Sequence, residues 1–433
     1  MSLPQTAGND ANPEMLGAIV KASERFAIIA SQDIVDVKGI KLWARGQPVS
    51  QALQQRLLER KLQQPLEVCL AAEDGATLFH LREDLRALLD ADTPLALVLR
   101  PWAQVLLEQV KYLPLHSVAQ LLLTAAMATR PTALPHAVMG MALAGAVMAH
   151  RRPSPADVRL AMLGGLLHDI GEVYIQPCYL DCAVPLDLVG HKHLVVHPRV
   201  AQLLLKTTTD YPDALCRAIG EHHERLDGSG YPARLVGEQI SPLGRVLAVV
   251  EATLGILRSP YAPFVRASFA LRVVPGEFDL QWSGLICGAA RAADGLLSQV
   301  QGAELTPGLP MARIDQRIQL AHRLAVELKE QGRGQPILSI VDNVLRRLDR
   351  LRVAWNALGS WGLDPYSLNP REQIELEMAS SELEFRLRSL QRESLLLGER
   401  LGESDMARLE PLWRGLLEEE TETDESAVAL TAD

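Results

Sequence analysis

Residues 154–171 read SPADVRLAMLGGLLHDIG. Ser154 offers an N-cap oxygen and Pro155 the fixed φ suited to a first helical position, so the stretch predicts a helix that runs through an apolar face and stops near Gly171. Such a helix is expected to be largely buried, with His168 and Asp169 at its C-terminal end. A buried histidine beside a buried carboxylate needs a strong partner for its charge, and a metal ion supplies one.

The rest of the chain agrees with a helical reading. Its 433 residues, 48% hydrophobic, leave room for two or three domains with real cores. Aromatic residues make up only 4%, and Leu and Ala dominate, which favours helices over a β-sandwich or barrel. The expected fold is mainly α: an all-helical domain, a small α+β N-terminal region and a helical C-terminal extension. The predicted divisions are a flexible leader over 1–19, a small α+β region over 20–125 that is a regulatory domain by position, a helical domain over 131–300, a helical region over 305–416 and an acidic disordered tail over 417–433. Within the N-terminal region, IIASQDIVDV, then Gly39, then IKLWARG suggests a short hairpin, and the apolar spacing from Ser50 to Leu62 a helix. Asn369 and Pro370 open a long amphipathic helix that is expected to pack one face on a neighbour, since no clean heptad is sustained.

Five scattered cysteines (Cys69, Cys178, Cys182, Cys216, Cys287) argue against a disulfide framework and for a reducing compartment; a zinc site on Cys178 and Cys182 would lack a second cysteine pair. No apolar run is long enough for a membrane span and the N-terminus does not resemble a signal peptide, so a cytoplasmic protein is expected. Of the net charge of -10, seven acids lie in the base-free tail, which leaves a body near -3 and no argument for a nucleic-acid polymer as partner.

Eight of the eleven histidines fall between His136 and His223. His136, in ALPHAVMGMALAGAVMAH, could be a surface residue at a helix start or a ligand; His150 suits a helix C-terminus; His191 and His193, in GHKHLVVHP, fit a loop; His197, before Pro198, could cap a helix or project from its entrance. An adjacent His and Asp from one helix, with histidines from others, can build a two-metal centre in which the carboxylate bridges both ions. Such a pair clamps a phosphoryl group and lowers the pKa of a bridging water, and its mixed imidazole and carboxylate donors suit iron or manganese, with zinc also within range.

A second stretch, EHHERLDGSGYPARLVG over 221–237, packs two histidines, acids and a glycine-rich turn into seventeen residues. Together LLHDIG, HPRVAQLL and HHERLDGSGYP, in that order, resemble the HD superfamily of metal-dependent phosphohydrolases and, more narrowly, its HD-GYP branch, over about residues 131–290. The resemblance implies an all-helical core and hydrolysis of the bacterial messenger cyclic di-GMP to pGpG or GMP by a hydroxide that two divalent ions activate. It also implies metal ligation by His136, His168, Asp169, His197, His222 and His223, with Asp169 bridging and His168 and Asp169 at the catalytic centre. Gly230, Tyr231 and Pro232 would shape the substrate rim. The family's closing aspartate is replaced by Glu251 in LAVVEATLG, and its second aspartate by Leu254.

Three further departures bear on the substrate. The family's HDIGK lysine is Glu172 here, an anion where a phosphate would meet a cation. After the closing acid, LRSPYAP keeps Pro260 and Tyr261 without the family's aligned arginines, for which Arg258 is the candidate replacement. The glutamate that serves a third metal in trinuclear members is Thr132, so only two ions are expected. Two function classes follow: an active cyclic di-GMP phosphodiesterase, or a degenerate module that binds cyclic di-GMP, or a partner such as a diguanylate cyclase domain, without turnover.

Overall fold

The computed structural model describes residues 11–57, 60–180, 187–258, 262–297, 311–331, 334–358 and 370–416. They divide into two compact units, residues 1–272 with 276–297, and residues 273–275 with 298–433. As expected, the chain is mainly α-helical among the described residues.

The first unit opens with helix α1 (Pro13–Ser23), whose N-cap Asn12 accepts from the Met15 amide. Leu16 and Ile19 of this helix are fully buried, so residues 13–19 are not the flexible leader expected from the sequence; their apolar face is part of the core. Strand β1 (Ile28–Ala30) is followed by the hairpin β2 (Ile34–Val35) and β3 (Lys41–Trp43), which turns through Gly39 at φ 81°. Then come α2 (Gln51–Leu57), α3 (Leu66–Cys69), β4 (Leu70–Ala72), α4 (Leu78–Asp90), α5 (Pro94–Leu99) and α6 (Ala103–Gln109); β4 pairs antiparallel with β1. The hairpin stands where the sequence pattern placed it, whereas the helix after Ser50 ends at Leu57 and Leu62 instead bridges to Asp36.

Nine further helices complete the unit: α7 (Ser117–Thr129), α8 (Ala133–Ala149), α9 (Pro155–Leu167), α10 (Leu188–Leu194), α11 (His197–Thr208), α12 (Asp213–Glu221), α13 (Pro242–Ile256), α14 (Pro263–Val273) and α15 (Gly284–Leu297). Ser154 caps α9 in a reciprocal box with Asp157, and Pro155 takes the first helical position, as the sequence predicts. The helix stops at Leu167, and a 3-10 turn over Ile170–Tyr174 carries the chain on past Asp169. His191 and His193 are not in a loop: Asp187 caps α10 through the Gly190 amide, and both histidines lie in that short helix. One continuous core runs from Met15 to Ile286, so the N-terminal elements and α7–α15 share their apolar interior. A buried carboxylate from the N-terminal elements, Glu67 of α3, accepts a hydrogen bond from Tyr174 in the 3-10 turn.

The second unit holds α16 (Met311–Glu330), α17 (Gln335–Ala357), α18 (Pro370–Gly398) and α19 (Glu403–Leu416), in which α16 meets α17 and α19, and α18 meets α17 and α19. Ile318, Val344, Leu387 and Leu412 are among its fully buried residues, and Arg347 pairs with Glu393 between α17 and α18. The long helix from Pro370 thus packs on neighbours within its own unit, as expected. The acidic tail over 417–433 and Cys182 lie outside the described residues.

Candidate metal centre

His168 is the C-cap residue of α9, and Asp169 follows it into the 3-10 turn. His197 opens α11, His222 is the C-cap residue of α12, and His223 comes next. His136 lies in the first turn of α8, and Glu251 in the second half of α13. Every ligand-type residue singled out in the sequence is therefore at, or within about a turn of, a helix end, except Glu251.

These side chains converge. His136, His168, Asp169 and Glu251 bring one ligand atom each within 4.8 Å of one another, and so do Asp169, His197, His222 and His223; either group could hold a metal ion, and Asp169 belongs to both. Its two carboxylate oxygens divide the neighbours. Oδ2 lies 3.3 Å from Nε2 of both His136 and His168, whereas Oδ1 lies 3.3 Å from Nε2 of His197 and 3.5 Å from Nε2 of His222. Glu251 Oε2 is 3.1 Å from His168 Nε2 and 3.8 Å from His136 Nε2, on the Oδ2 side.

Three of the rings are aimed by backbone carbonyls, two of their own helices and, for His197, that of the last residue of α10. Nδ1 of His168 donates to the Gly165 carbonyl at 2.9 Å, that of His197 to Leu194 at 2.7 Å and that of His222 to Ile219 at 2.6 Å, each three residues back. A carbonyl can only accept, so Nδ1 carries the proton and Nε2 of each neutral ring keeps its lone pair towards the centre. Outer hydrogen bonds of this kind fix the tautomer and orientation of metal-binding histidines. The donor set therefore fits two cations.

Electrostatics give the same picture. Burial opposes a charged His168, but the Asp169 and Glu251 carboxylates outweigh it and hold its pKa well above the ordinary histidine range. His136 is likewise raised to about 9 by those two carboxylates against the effect of burial. His223 is driven well below the ordinary range by burial and by His222. Burial acts against both carboxylates, yet the surrounding imidazoles hold Asp169 and Glu251 well below their usual values. Two anions fixed in a ring of imidazoles call for positive charge, from protons or from metal. The side chains of His168, His197 and His222 are no more than 3% exposed, whereas those of His136, Asp169 and Glu251 are 13–19% exposed, so the latter mark the open side.

The Gly-Tyr-Pro stretch borders the centre. The Tyr231 ring stacks on His223, with centroids 4.5 Å apart and planes 21° from parallel. Gly230 passes so close to the preceding turn that a Cβ would lie 2.4 Å from the His223 carbonyl oxygen, and the Tyr231–Pro232 bond is cis. Sequence reasoning passed over Glu224, which is fully buried and accepts from the amides of Ala233, Arg234 and Leu235 at 2.6, 3.1 and 2.9 Å, pinning the loop after Pro232. The only advance signal was an acid directly after the histidine pair. Glu221 plays a similar part for α13: it accepts from the Ser241 amide at 2.8 Å and from the Ser241 hydroxyl at 2.5 Å.

The remaining candidates are placed less centrally. Leu254 is buried in the core. Arg258 is exposed just past α13 and belongs to neither ligand group, and Pro260 and Tyr261 lie outside the described residues. Glu172, in the 3-10 turn, is paired with Arg130 at the end of α7.

Residues 126–273 match a family model described as the HD domain. The chain is 36% identical over 135 residues to a cyclic di-GMP phosphodiesterase of Pseudomonas aeruginosa, covering 30% of this chain and 32% of that protein. It is 34% identical over 121 residues to a cyclic di-GMP phosphodiesterase response regulator of Xanthomonas campestris pv. campestris, 28% of this chain and 32% of that protein. It is 32% identical over 98 residues to a 3'3'-cGAMP-specific phosphodiesterase of Vibrio cholerae, 23% of this chain and 21% of that protein. The chain thus spans a third or less of the length of these relatives, and no solved structure matches it. With the His-Asp pair, the downstream histidine helix and the Gly-Tyr-Pro turn gathered at one centre, the segment over 126–273 is similar to the HD domain and, through it, to these phosphodiesterases.

Proposed function

We propose that the protein is a metal-dependent phosphodiesterase that hydrolyses cyclic di-GMP to pGpG or GMP. The observation that carries this reading is the division of the Asp169 carboxylate, one oxygen facing His136 and His168 and the other His197 and His222. In this reading two divalent ions, iron or manganese, would be held by residues that share Asp169: one by His136, His168 and Glu251, the other by His197, His222 and His223. Two such ions supply a water acidified for attack and positive charge for the phosphoryl oxygens. The chain's own work is to aim the Nε2 lone pairs through the three Nδ1-to-carbonyl bonds and to keep Asp169 and Glu251 ionised. Burial, then the Glu251 charge, hold the Tyr231 phenol well above its ordinary pKa, so it stays neutral beside His223 as part of a rim with Gly230 and Pro232. Arg258, exposed just past α13, is the candidate contact to substrate in place of the arginines this chain lacks.

A second reading is a module that binds cyclic di-GMP, or a partner such as a diguanylate cyclase domain, without turnover; the Glu172 carboxylate near the centre favours it. Purification with iron or manganese under reducing conditions, followed by assay for pGpG and GMP, separates the two. The phosphodiesterase reading expects product from the parent chain and none from Asp169→Ala. Absence of product, with metal content unchanged in that variant, would sink it.

A further inference from the structure

Glu14 stands in the first turn of α1, where the positive end of the helix favours an acid. It is half-buried, and its carboxylate forms no hydrogen bond or ion pair among the described residues. The same side chain lines a cavity that reaches His136 and Asp169, on the open side of the metal centre. Most of the remaining wall is apolar, Ala18 of α1 and Ala126 of α7 among it, and its other two charged side chains, Arg130 and Glu172, are joined in an ion pair. Apolar walls with a few polar groups to fix orientation are the make-up of a small-molecule site.

We propose that Glu14 reads the Watson–Crick edge of one guanine of the substrate, whose phosphate lies at the metal centre. This rests on the phosphodiesterase reading and names a specificity-determining residue within it. An ionised carboxylate can only accept, through its two oxygens. Guanine offers two adjacent donors, N1–H and the N2 amino group, which match those oxygens as a fork of charge-assisted bonds. Adenine has a lone pair at N1 in place of that proton, so the same carboxylate faces an acceptor and keeps only the amino donor beside it. A site whose acceptor is left unpaired by the wrong ligand discriminates strongly against it. The apolar walls suit the faces of the base, and Glu14 its edge.

The two mononucleotides 5'-GMP and 5'-AMP carry the same sugar phosphate and differ in the base, so their ratio isolates the edge contact from the metal centre. Each is titrated calorimetrically into the manganese-loaded full chain, with metal content and thermal midpoint recorded for every variant. The parent should bind GMP about tenfold or more tightly than AMP. Glu14→Ala should erase that preference. Glu14→Gln keeps the shape, removes the charge and adds a donor that adenine N1 can accept, so GMP should weaken while AMP strengthens. Opposite shifts of this kind are not expected of a residue that only supports α1. A parent that binds neither nucleotide or both equally, a Glu14→Gln chain that keeps the GMP preference, or a preference lost together with metal or thermal stability overturns the proposal. If the preference depends on Glu14 while cyclic di-GMP survives incubation with the parent, the phosphodiesterase reading fails and the guanine site stands.

Discussion

Gly140 of α8 and Gly165 of α9 meet backbone to backbone: a Cβ on Gly165 would stand 2.2 Å from the Gly140 carbonyl oxygen, and one on Gly140 2.5 Å from that of Gly165. His136 lies one turn before the crossing and His168 one turn after it, so the closeness of the two helices sets the separation of their rings, whose centroids are 5.3 Å apart. Gly165→Ala is expected to push the helices apart, lowering stability by about 1–3 kcal/mol as overpacked cores do. It should also reduce metal retention. Thermal denaturation together with metal analysis checks this, and a variant that melts and retains metal like the parent would refute the link.

Because Asp169 is shared, the ligands should sort by stoichiometry. Glu251→Ala and His223→Ala are each expected to lose one ion of two, and Asp169→Ala both. Activity should fall at least about a hundredfold in all three, since even outer-shell changes at metal sites cost ten- to a hundredfold. Metal analysis of dialysed protein reads the difference, and an Asp169→Ala chain that keeps one full equivalent would contradict the bridge.

The raised pKa of His136 gives a pH dependence whose sign follows from linkage. Its folded value of about 9 lies above the ordinary 6.5, so in the metal-free chain its stabilising charge is complete below about 6.5 and is lost as pH rises through about 9. The metal-free parent should therefore lose more thermal stability between these pH values than His136→Gln does. Metal uptake must displace those protons, so it should release acid into a weakly buffered solution at pH 7. Uptake with no change in pH would show the ring already neutral.

Glu224 is expected to matter without touching the ligands. Glu224→Ala leaves the three loop amides without their acceptor, at a cost of about 1–3 kcal/mol for the group as buried donors go. Its signature should be a higher KM for cyclic di-GMP with metal content kept, because the loop it pins carries Tyr231 and Pro232. Loss of metal in this variant would mean that Glu224 supports the histidine pair instead.

How much of this was legible follows from where the partners lie. The helix over 155–167, its cap and the polar residues at its end were readable because an N-cap serine, a proline and an apolar run are local signals. The role of His136 stayed open in the sequence, since its ring meets Asp169 only through the crossing of α8 and α9. Glu224 was missed because its partners are backbone amides nine to eleven residues on, which carry no side-chain signature. The pairing of Glu172 with Arg130 was missed for a related reason: the two are 42 residues apart, and nothing in the residues around either marks the pair. The α1 helix and the seven-residue α10 escaped notice because short segments give few apolar repeats.

The bonds from His168, His197 and His222 to carbonyls three residues back carry a consequence for loading. His168 and His222 are oriented by the helices they end, and His197 by the end of α10, so the entropy of arranging these three donors is settled when the fold forms. Ion capture then asks for proton release and little rearrangement. Removal and return of metal are therefore expected to leave the folded body intact.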